Sequence, residues 1–190
     1  MVKRCEWAEN NALMKEYHDK EWGTPKHDDK ILFELLILEG MQAGLSWNTI
    51  LQKRDNFRKS FDNFDYIRIS KYDESKIEEL MQNKGIIRNR LKIQSVISNA
   101  KSFIKIQEEF GSFDKYIWGF VNNKVIHNSW KVLEELPSNT ELSDRISKDM
   151  KRRGFKFVGS TIIYSFLQAI GIVNDHTTYC FRYSDLKDKA

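Results

Sequence analysis

The chain has 190 residues, a formal net charge of +4 and 41% hydrophobic residues. This composition is that of a soluble globular protein with one domain, or one domain split into two lobes around a cleft, and its length makes a disulfide framework unnecessary for stability. The N-terminal sequence MVKRCEWAEN lacks the apolar core of a signal peptide, and no run approaches the ~20 apolar residues of a membrane span. We therefore expect a cytoplasmic protein that does not act at a membrane.

Basic residues are concentrated in two stretches, although the net charge alone is too small to indicate a nucleic-acid partner. The stretch from Lys84 to Lys105 has six basic residues and no acidic one, and the segment 148–156 has five basic residues and one acidic residue. Such stretches favour a polyanion because binding releases its counterions. A solvated helix face is the alternative interpretation.

Capping residues and apolar periodicity predict helices in the first half of the chain. Asp28 or Asp29 can cap the apolar segment that follows them, and Asp73 can cap the next helix, with Gly85 as its stop signal. The segment 86–111 is predicted to be one long helix with its basic residues mostly outside the buried face. The apolar residues expected on that buried face are Ile86, Ile87, Ile93, Val96, Ile97 and Phe103.

The second half of the chain continues this pattern. A short helix is predicted to start at Ser112, a longer one to be capped within Ser138–Thr140, and a last one to lie between Gly159 and Gly171. Only the segment VNNKVIHNSW has the character of a strand. The sequence thus predicts an all-α domain of about seven or eight helices, without its topology.

Two cysteines and two histidines could form a metal site. His176 and Cys180 have an i,i+4 spacing, which places both side chains on one face of a helical turn. Cys5 and His18 lie near the other end of the chain, so the four residues meet only if the termini meet. Such a Cys2His2 set suits tetrahedral zinc and leaves no open coordination position, so the metal would be structural. The alternative is two buried cysteines and two ordinary histidines.

The segment LEGMQAGLSW combines an acidic residue with two glycines and a tryptophan. Glu39 lies near the end of an otherwise apolar helix, where a carboxylate must find partners or raise its pKa. Gly40 and Gly44 allow the backbone to approach another group closely, and Trp47 supplies a flat ring. A surface carboxylate and a core tryptophan are the alternative interpretation.

A tight turn between two helices is predicted at GFKFVGST, residues 154–161. A turn that ends in glycine and opens into a helix N-terminus presents free backbone N–H groups to an anion. A DNA phosphate would fit this turn, which overlaps the second basic stretch. A simple interhelical connection is the alternative.

Six sequence blocks in order along the chain are more informative together than any one motif. They are RCEW, YHDKEWG, LEGMQAGLSW, GIIRNRLKI, RGFKFVGSTIIYSFLQAIG and VNDH-x3-C, and they extend from about Cys5 to Cys180. Together they resemble the Tag-type 3-methyladenine DNA glycosylase family. The resemblance implies a helix-hairpin-helix fold with two helical lobes around a base-binding cleft. It also implies a single domain, residues 1–190, whose N- and C-terminal segments are joined by one structural zinc ion. The implied ligands of that zinc are Cys5, His18, His176 and Cys180.

The resemblance also implies roles for individual residues. Glu39 would be the catalytic residue that reads the methylated base by hydrogen bonds, Trp47 would stack on the base, and Tyr17 would add a hydroxyl contact. Trp7 would line the same pocket. The turn at GFKFVGST would be the hairpin that holds the DNA backbone. This hairpin and an intercalating loop would bind DNA through Gly44, Leu45, Lys156, Val158, Gly159 and Ser160.

The function that the resemblance implies is base-excision repair of double-stranded DNA containing alkylated bases. The enzyme would act as a monomer, flip out the damaged nucleotide and release 3-methyladenine by hydrolysis. Ser160, Thr161 and Ile162 stand where bifunctional members of the superfamily have a lysine nucleophile, so no strand-cleaving step is expected. Asp175 would orient its neighbour His176 or have another structural role, in preference to stabilising the developing sugar cation.

Two other functional classes remain open from the sequence. A non-enzymatic, zinc-stabilised helical DNA-binding protein would share the basic stretches and the hairpin but would need no base pocket. A zinc hydrolase would need an open coordination position and a nearby general base. A four-ligand set with two thiolates argues against the hydrolase.

Overall fold

In a computed structural model, ten α-helices build the described part of the chain, residues 2–187. They are α1 (Ala12–Lys20), α2 (Asp29–Gln42), α3 (Trp47–Ser60), α4 (Tyr66–Ile69), α5 (Glu74–Gln82), α6 (Arg90–Phe110), α7 (Phe113–Gly119), α8 (Glu141–Arg152), α9 (Ser160–Ala169) and α10 (Phe181–Lys187). Two strands of two residues each are β1 (Ile126–His127) and β2 (Val173–Asn174). The all-α fold class is confirmed, with more helices than the sequence pattern indicates.

Helix α2 runs through the main hydrophobic core, where it packs against α3, α6 and α9. Its residues Leu32–Met41 are all buried, so the helix is covered on every side. Asp28 caps it by accepting from a first-turn amide, whereas the Asp29 carboxylate accepts from two first-turn amides of α7. Because no face of α2 is open to solvent, two glutamates of this helix, Glu34 and Glu39, are carried into the interior.

Helix α6 begins at Arg90, later than the sequence predicts. The Asn89 side chain accepts from the Lys92 amide at 3.1 Å and caps the helix. In the turn between α5 and α6, the Asn83 side chain accepts from the Gly85 amide, and α5 ends at Gln82, earlier than expected. The apolar face predicted for α6 is buried, apart from half-buried Ile87. Two asparagine side chains therefore set the boundary between α5 and α6.

The two short strands join the segment after α7 to the segment after α9. They pair in parallel, with Ile126 opposite Val173, and β1 lies within the segment for which the sequence predicts a strand. The three residues that directly follow β2, Asp175, His176 and Thr177, are buried. The ladder thus directs the C-terminal segment into the protein.

A second, smaller hydrophobic cluster combines aromatic and sulfur-containing side chains from both ends of the chain. Its buried members are Cys5, Met14, Tyr17, Trp22, Leu51 and Cys180. This cluster positions the candidate site described below. Within residues 2–187, no helix has both the length and the apolar character needed to cross a membrane.

Candidate active site and metal cluster

A cavity of about 270 Å³ opens beside the small cluster. It lies between α1, the end of α2, the start of α3 and one face of α9. Its walls are formed by Trp7, Met14, Tyr17, Trp22, Glu39, Gln42, Trp47, Leu133, Leu136, Ser165 and Gln168. All four residues that the sequence assigns to the base pocket line this one cavity. Its size and mostly apolar walls suit a small planar molecule.

Three buried polar atoms on these walls have no hydrogen-bond partner among the described residues. They are the Tyr17 hydroxyl, Glu39 Oε2 and Trp47 Nε1. An unpaired buried group of this kind costs about 1–3 kcal/mol, and native proteins pair most of them. Here three of them come from three different helices and line the same cavity. The arrangement suits a ligand that supplies the missing hydrogen-bond partners.

Burial changes the ionisation of two cavity groups. Glu39 is 4% exposed, and burial raises the pKa of its carboxyl from 4.5 to about 8. Burial also raises the pKa of the Tyr17 hydroxyl, and the nearby Glu39 carboxylate adds to that shift. At neutral pH the cavity thus holds a largely protonated carboxyl that ionises when a cation approaches it.

Aromatic rings connect the cavity to the four candidate metal ligands, Cys5, His18, His176 and Cys180, which are called the metal cluster below. The ring centroids of Trp7 and Trp22 are 5.0 Å apart, and those of Tyr17 and Trp47 are 5.4 Å apart. Trp22 also lies edge-on to the His176 ring at 4.5 Å. Trp22 is a wall residue that sequence reasoning missed, although it belongs to the YHDKEWG block that carries the resemblance.

Cys5, His18, His176 and Cys180 form a buried cluster whose candidate ligand atoms all lie within 4.8 Å of one another. The Cys180 sulfur is 3.4 Å from His18 Nε2 and 3.5 Å from His176 Nδ1. The Cys5 sulfur is 3.6 Å from the same His176 atom. Tetrahedral zinc with ordinary bond lengths separates its sulfur and nitrogen ligands by ~3.5 Å. The cluster could therefore hold a metal ion.

The surroundings of the cluster favour the metal-binding forms of His176 and Cys180, whereas the hydrogen bond with Cys180 and burial raise the pKa of the Cys5 thiol. Burial lowers the pKa of His176, which keeps the ring neutral, and a hydrogen bond with the other cysteine lowers the pKa of Cys180. His18 Nδ1 donates to the Asp19 carboxylate at 2.8 Å, and His176 Nε2 donates to the Trp22 carbonyl at 3.2 Å. These bonds leave His18 Nε2 and His176 Nδ1 directed at the sulfur atoms.

His176 and Cys180 do not share a helical turn, contrary to the prediction from their spacing. They lie in the segment between β2 and α10, where the Cys180 amide donates to the Thr177 carbonyl at 2.8 Å. The strand pairing of β2 ends just before His176 and precludes a helix there. A tight turn, and not a helix, brings the two ligands together.

Asp175 does not orient His176, and this expectation from the sequence is wrong. Asp175 is 1% exposed. Its carboxylate accepts hydrogen bonds from the side chains of Asn128, Trp130, Tyr164 and Gln168. Each oxygen already has two donors, and the Trp22 carbonyl holds the His176 ring instead.

The loop between α2 and α3 presents Gly44 and Leu45. Gly44 has a φ of 77°, a conformation that favours glycine, and Leu45 is 40% exposed. The buried Lys92 ammonium donates to the carbonyls of Met41 and Ala43 at 2.8 and 2.7 Å. It therefore caps the end of α2. Lys92 holds this loop in place and is not part of an exposed basic surface, contrary to the sequence prediction for its stretch.

The connection between α8 and α9 is the turn predicted at GFKFVGST. Asn99 of α6 binds it twice, by accepting from the Lys156 amide at 2.7 Å and by donating to the Lys156 carbonyl at 3.0 Å. The Val158 side chain is buried, so this residue can reach a ligand only through its backbone. Gly159 begins α9 without a capping side chain, which leaves the first-turn amides, Ser160 included, available to an anion.

The hairpin touches the helix that carries Glu39. A Cβ atom at Gly40 would meet the Phe157 side chain at 3.4 Å. Glycine at this position therefore permits the close packing of α2 against the hairpin. The cavity and the candidate DNA-binding turn are joined by direct contact.

Ion pairs divide the two basic stretches into neutralised and free residues. Arg90 and Arg153 each bind two carboxylates, and Arg152 binds Asp149. Within residues 2–187, the basic residues of these stretches that are exposed or half-buried and have no ion pair are Lys84, Arg88, Lys101, Lys105, Lys148, Lys151 and Lys156. A solvated or polyanion-binding surface is thus built mainly from lysines.

A sequence profile of the methyladenine glycosylase family matches residues 7–183 of the chain. The chain belongs to the methyladenine glycosylase family. The match covers the cavity, the hairpin and three of the four residues of the metal cluster. The family predicted from the six sequence blocks is confirmed.

Relatives agree with this assignment along almost the whole chain. The chain is 46% identical to DNA-3-methyladenine glycosylase 1 of Escherichia coli (strain K12) over 96% of this chain and 97% of the relative. A crystal structure of 3-methyladenine DNA glycosylase I matches with a TM-score of 0.92 at 49% identity, over 94% of this chain and 98% of that chain. A single-residue variant of 3-methyladenine DNA glycosylase I in complex with 3-methyladenine matches with a TM-score of 0.91 at 32% identity, over 94% and 96%. Because the chain belongs to a family of glycosylases, the alternative of a non-enzymatic, zinc-stabilised DNA-binding protein is set aside.

Sequence reasoning missed the walls of the cavity that come from α9 and from the segment before α8. Ser165 and Gln168 are three residues apart and face the cavity together. Two polar residues on one side of an otherwise apolar helix were the available signal. Leu133 begins a three-residue 3-10 helix, Leu133–Glu135, and Leu136 follows it, so these two residues have no such pattern.

Proposed function

We propose that the protein is a monofunctional DNA-3-methyladenine glycosylase, a hydrolase that flips a damaged nucleotide out of double-stranded DNA and releases the base. The observation that carries the proposal is the set of three unpaired polar groups, Tyr17, Glu39 and Trp47, in one aromatic cavity. The names of the relatives and the base in one related complex support the choice of 3-methyladenine.

Recognition rests on the charge of the damaged base. Adenine methylated at N3 is cationic in DNA, and an aromatic face attracts a flat cation by ~2 kcal/mol when both are desolvated. Trp47 and Trp7 supply such faces. The Glu39 carboxyl ionises beside the cation and accepts from the exocyclic amine, and the Tyr17 hydroxyl adds a hydrogen bond. Undamaged, neutral adenine gains less from each of these contacts.

Bond cleavage then needs little acid catalysis. The bond between the sugar C1′ and the base nitrogen breaks with its electron pair going to the base, which is cationic before the step and neutral after it. Water adds to C1′ and completes the hydrolysis. The contribution of the protein is therefore to extrude, hold and select the nucleotide.

DNA binding is assigned to the loop between α2 and α3 and to the hairpin. Leu45, beside Gly44, would fill the gap left by the flipped nucleotide. A phosphate would bind the hairpin through the Lys156 side chain and the backbone of Val158, Gly159 and Ser160. No lysine nucleophile follows the hairpin, so strand cleavage is not expected.

One structural Zn²⁺ would be held by the four-residue metal cluster, Cys5, His18, His176 and Cys180. The donor set and its sulfur–nitrogen separations fit tetrahedral zinc. All four positions would be filled by protein, which argues against a zinc hydrolase. The metal would fix the N-terminal segment, and with it Trp7, to the C-terminal segment. We expect the chain to act as one domain, residues 1–190, and as a monomer.

Base release from alkylated duplex DNA tests the activity. The purified protein is incubated with DNA treated with a methylating agent, and the released bases are separated by chromatography. We expect free 3-methyladenine from the wild type and a ~100-fold lower kcat/KM for Glu39→Gln, which loses a charge-assisted hydrogen bond. Glu16→Gln, at an exposed glutamate, is the matched control and should match the wild type. No release by folded, metal-loaded protein would contradict the proposal.

A further inference from the structure

The amide of Gln168 on the cavity wall has a fixed orientation. Its Nε2 atom donates to Asp175 Oδ2 at 2.7 Å. Because an ionised carboxylate only accepts hydrogen bonds, the atom that faces Asp175 must be the amide nitrogen. The amide oxygen, Oε1, has no hydrogen-bond partner among the described residues, and Gln168 lines the cavity, so this oxygen is available to a molecule bound there. Asp175 thus turns a neutral side chain into an oriented hydrogen-bond acceptor.

Neither carboxylate near this wall is available to orient a water molecule. Asp175 is buried, and each of its two oxygens has two donors. Glu39 is the one carboxylate among the described residues of the cavity wall, and the base occupies it in the proposed function. A hydrolytic enzyme still needs a group that directs water toward the sugar carbon.

We propose that the side-chain amide oxygen of Gln168, Oε1, accepts a hydrogen bond from the attacking water. Asp175, which binds the amide nitrogen, is the positioning residue. This inference rests on the proposed glycosylase function. The water oxygen forms a bond to C1′ as the bond from C1′ to the base breaks, and the electron pair of that bond neutralises the cationic base. The proton released from the water passes to bulk solvent because an amide oxygen is too weak a base to keep it.

A neutral acceptor is sufficient for this substrate. The leaving group is cationic, so the sugar carbon becomes strongly electron-deficient before water attacks. Orientation of the water then matters more than its deprotonation. A second carboxylate in the cavity would also raise the pKa of Glu39 further by like-charge repulsion, which an amide avoids.

The first test replaces Gln168 by methionine, which keeps its length and removes the oxygen. We expect Gln168→Met to lower the single-turnover rate constant at least ~10-fold and to leave the KM for alkylated DNA close to that of the wild type. Gln94→Met, at an exposed glutamine of α6, is the matched control and should keep the wild-type rate. A normal rate constant for Gln168→Met would overturn the inference.

Added methanol gives a readout that a merely structural role would not change. An oriented water competes well against methanol in the wild type, so few abasic sites should be capped as alkali-resistant methyl glycosides. Loss of the acceptor in Gln168→Met should raise the methanol share of the product. If Gln168→Met has a lower rate but the methanol share of its product is unchanged, Gln168 has only a packing role and the inference is overturned.

The variant Gln168→Glu provides a rescue by pH. When its carboxyl is protonated, the O–H can donate to Asp175 and the carbonyl still faces the cavity. Like-charge repulsion from Asp175 raises the pKa of this carboxyl. Relative to the wild type at the same pH, the variant should be active near pH 5.5 and should lose activity as the pH rises toward about 8. If the ratio of variant activity to wild-type activity does not change across this pH range, the assigned orientation of the Gln168 amide is wrong.

These outcomes separate the two proposals. If the wild type releases no base, the proposed function fails. If the wild type is active but Gln168→Met has a normal rate and a normal methanol share, only the assignment of Gln168 fails.

Discussion

Two glutamates of α2 are both buried, but their surroundings differ. Glu34 is 8% exposed, and its carboxylate accepts from Arg54 at 2.7 Å and pairs with Arg58 at 2.8 Å. Glu39 is 4% exposed, and its Oε2 atom has no partner among the described residues. The same residue type on the same helix is therefore paired within the fold at one position and lacks a partner among the described residues at the other.

The same contrast separates the metal cluster from the cavity. The cysteine and histidine side chains contact one another, and Asp175 beside them has donors on both oxygens. The cavity next to them holds three polar groups that no described residue satisfies. Internally paired groups should therefore govern stability, and unpaired groups should govern ligand binding. Four predictions test this division.

The largest effect is expected at the metal cluster. Cys5→Ala removes one of four ligands, so the protein should lose its bound zinc and its Tm should fall by more than ~10 °C. Metal analysis and thermal unfolding measure the two effects, with the wild type in excess chelator as the comparison. A gently purified wild type with less than about half an equivalent of zinc would count against the assignment.

Glu39→Gln should stabilise the protein, and more so at high pH. The carboxyl of Glu39 has a pKa of about 8 in the folded protein, whereas the unfolded chain ionises near pH 4.5. The folded state thus binds the extra proton, and stability is lost as the pH rises from about 4.5 to about 8. Between about pH 5 and pH 9 the advantage of the variant over the wild type should grow by ~4 kcal/mol. Urea unfolding at both pH values checks this, and an advantage independent of pH would refute it.

Glu34→Gln should have the opposite effect. It leaves Arg54 and Arg58 without a carboxylate that both of them bind, so the free energy of unfolding should fall by ~2 kcal/mol. Its release of 3-methyladenine at a temperature where it remains folded should be close to that of the wild type. If Glu34→Gln impaired base release as much as Glu39→Gln does, the division between the two glutamates would be wrong.

The smallest effect is expected at the hairpin. Lys156 has no ion pair within the described chain, whereas Arg153 binds Asp149 and Glu109. Lys156→Gln should therefore weaken DNA binding and reduce the slope of log K against log salt by about 1, and Arg153→Gln should change the slope less. Fluorescence anisotropy at several salt concentrations measures both. Equal slopes for the two variants would show that ion pairing within the protein does not determine which basic residues contribute to DNA binding.

Local signals in the sequence predicted local features correctly. Asp28, Asp73 and Ser112 are helix caps as predicted, and the four cysteine and histidine residues meet. The roles of Lys92 and Asp175 were not predictable from their neighbours. Lys92 binds carbonyls of a helix end far away in sequence, and Asp175 collects donors from two other segments, the one after β1 and helix α9. Such partners depend on the tertiary fold, which periodicity and spacing do not give.

Binding of the free base tests the central claim most directly. Quenching of tryptophan fluorescence is followed as 3-methyladenine or adenine is added to the wild type and to Glu39→Gln. We predict saturable quenching of the wild type by 3-methyladenine, at least ~10-fold weaker binding to Glu39→Gln, and weaker binding of adenine to either protein. Because the released base is neutral, its binding measures the hydrogen bonds and shape of the cavity and not the charge of the damaged base. Equal binding of 3-methyladenine by the wild type and Glu39→Gln would contradict the account, because the unpaired carboxyl would then not be kept for the base.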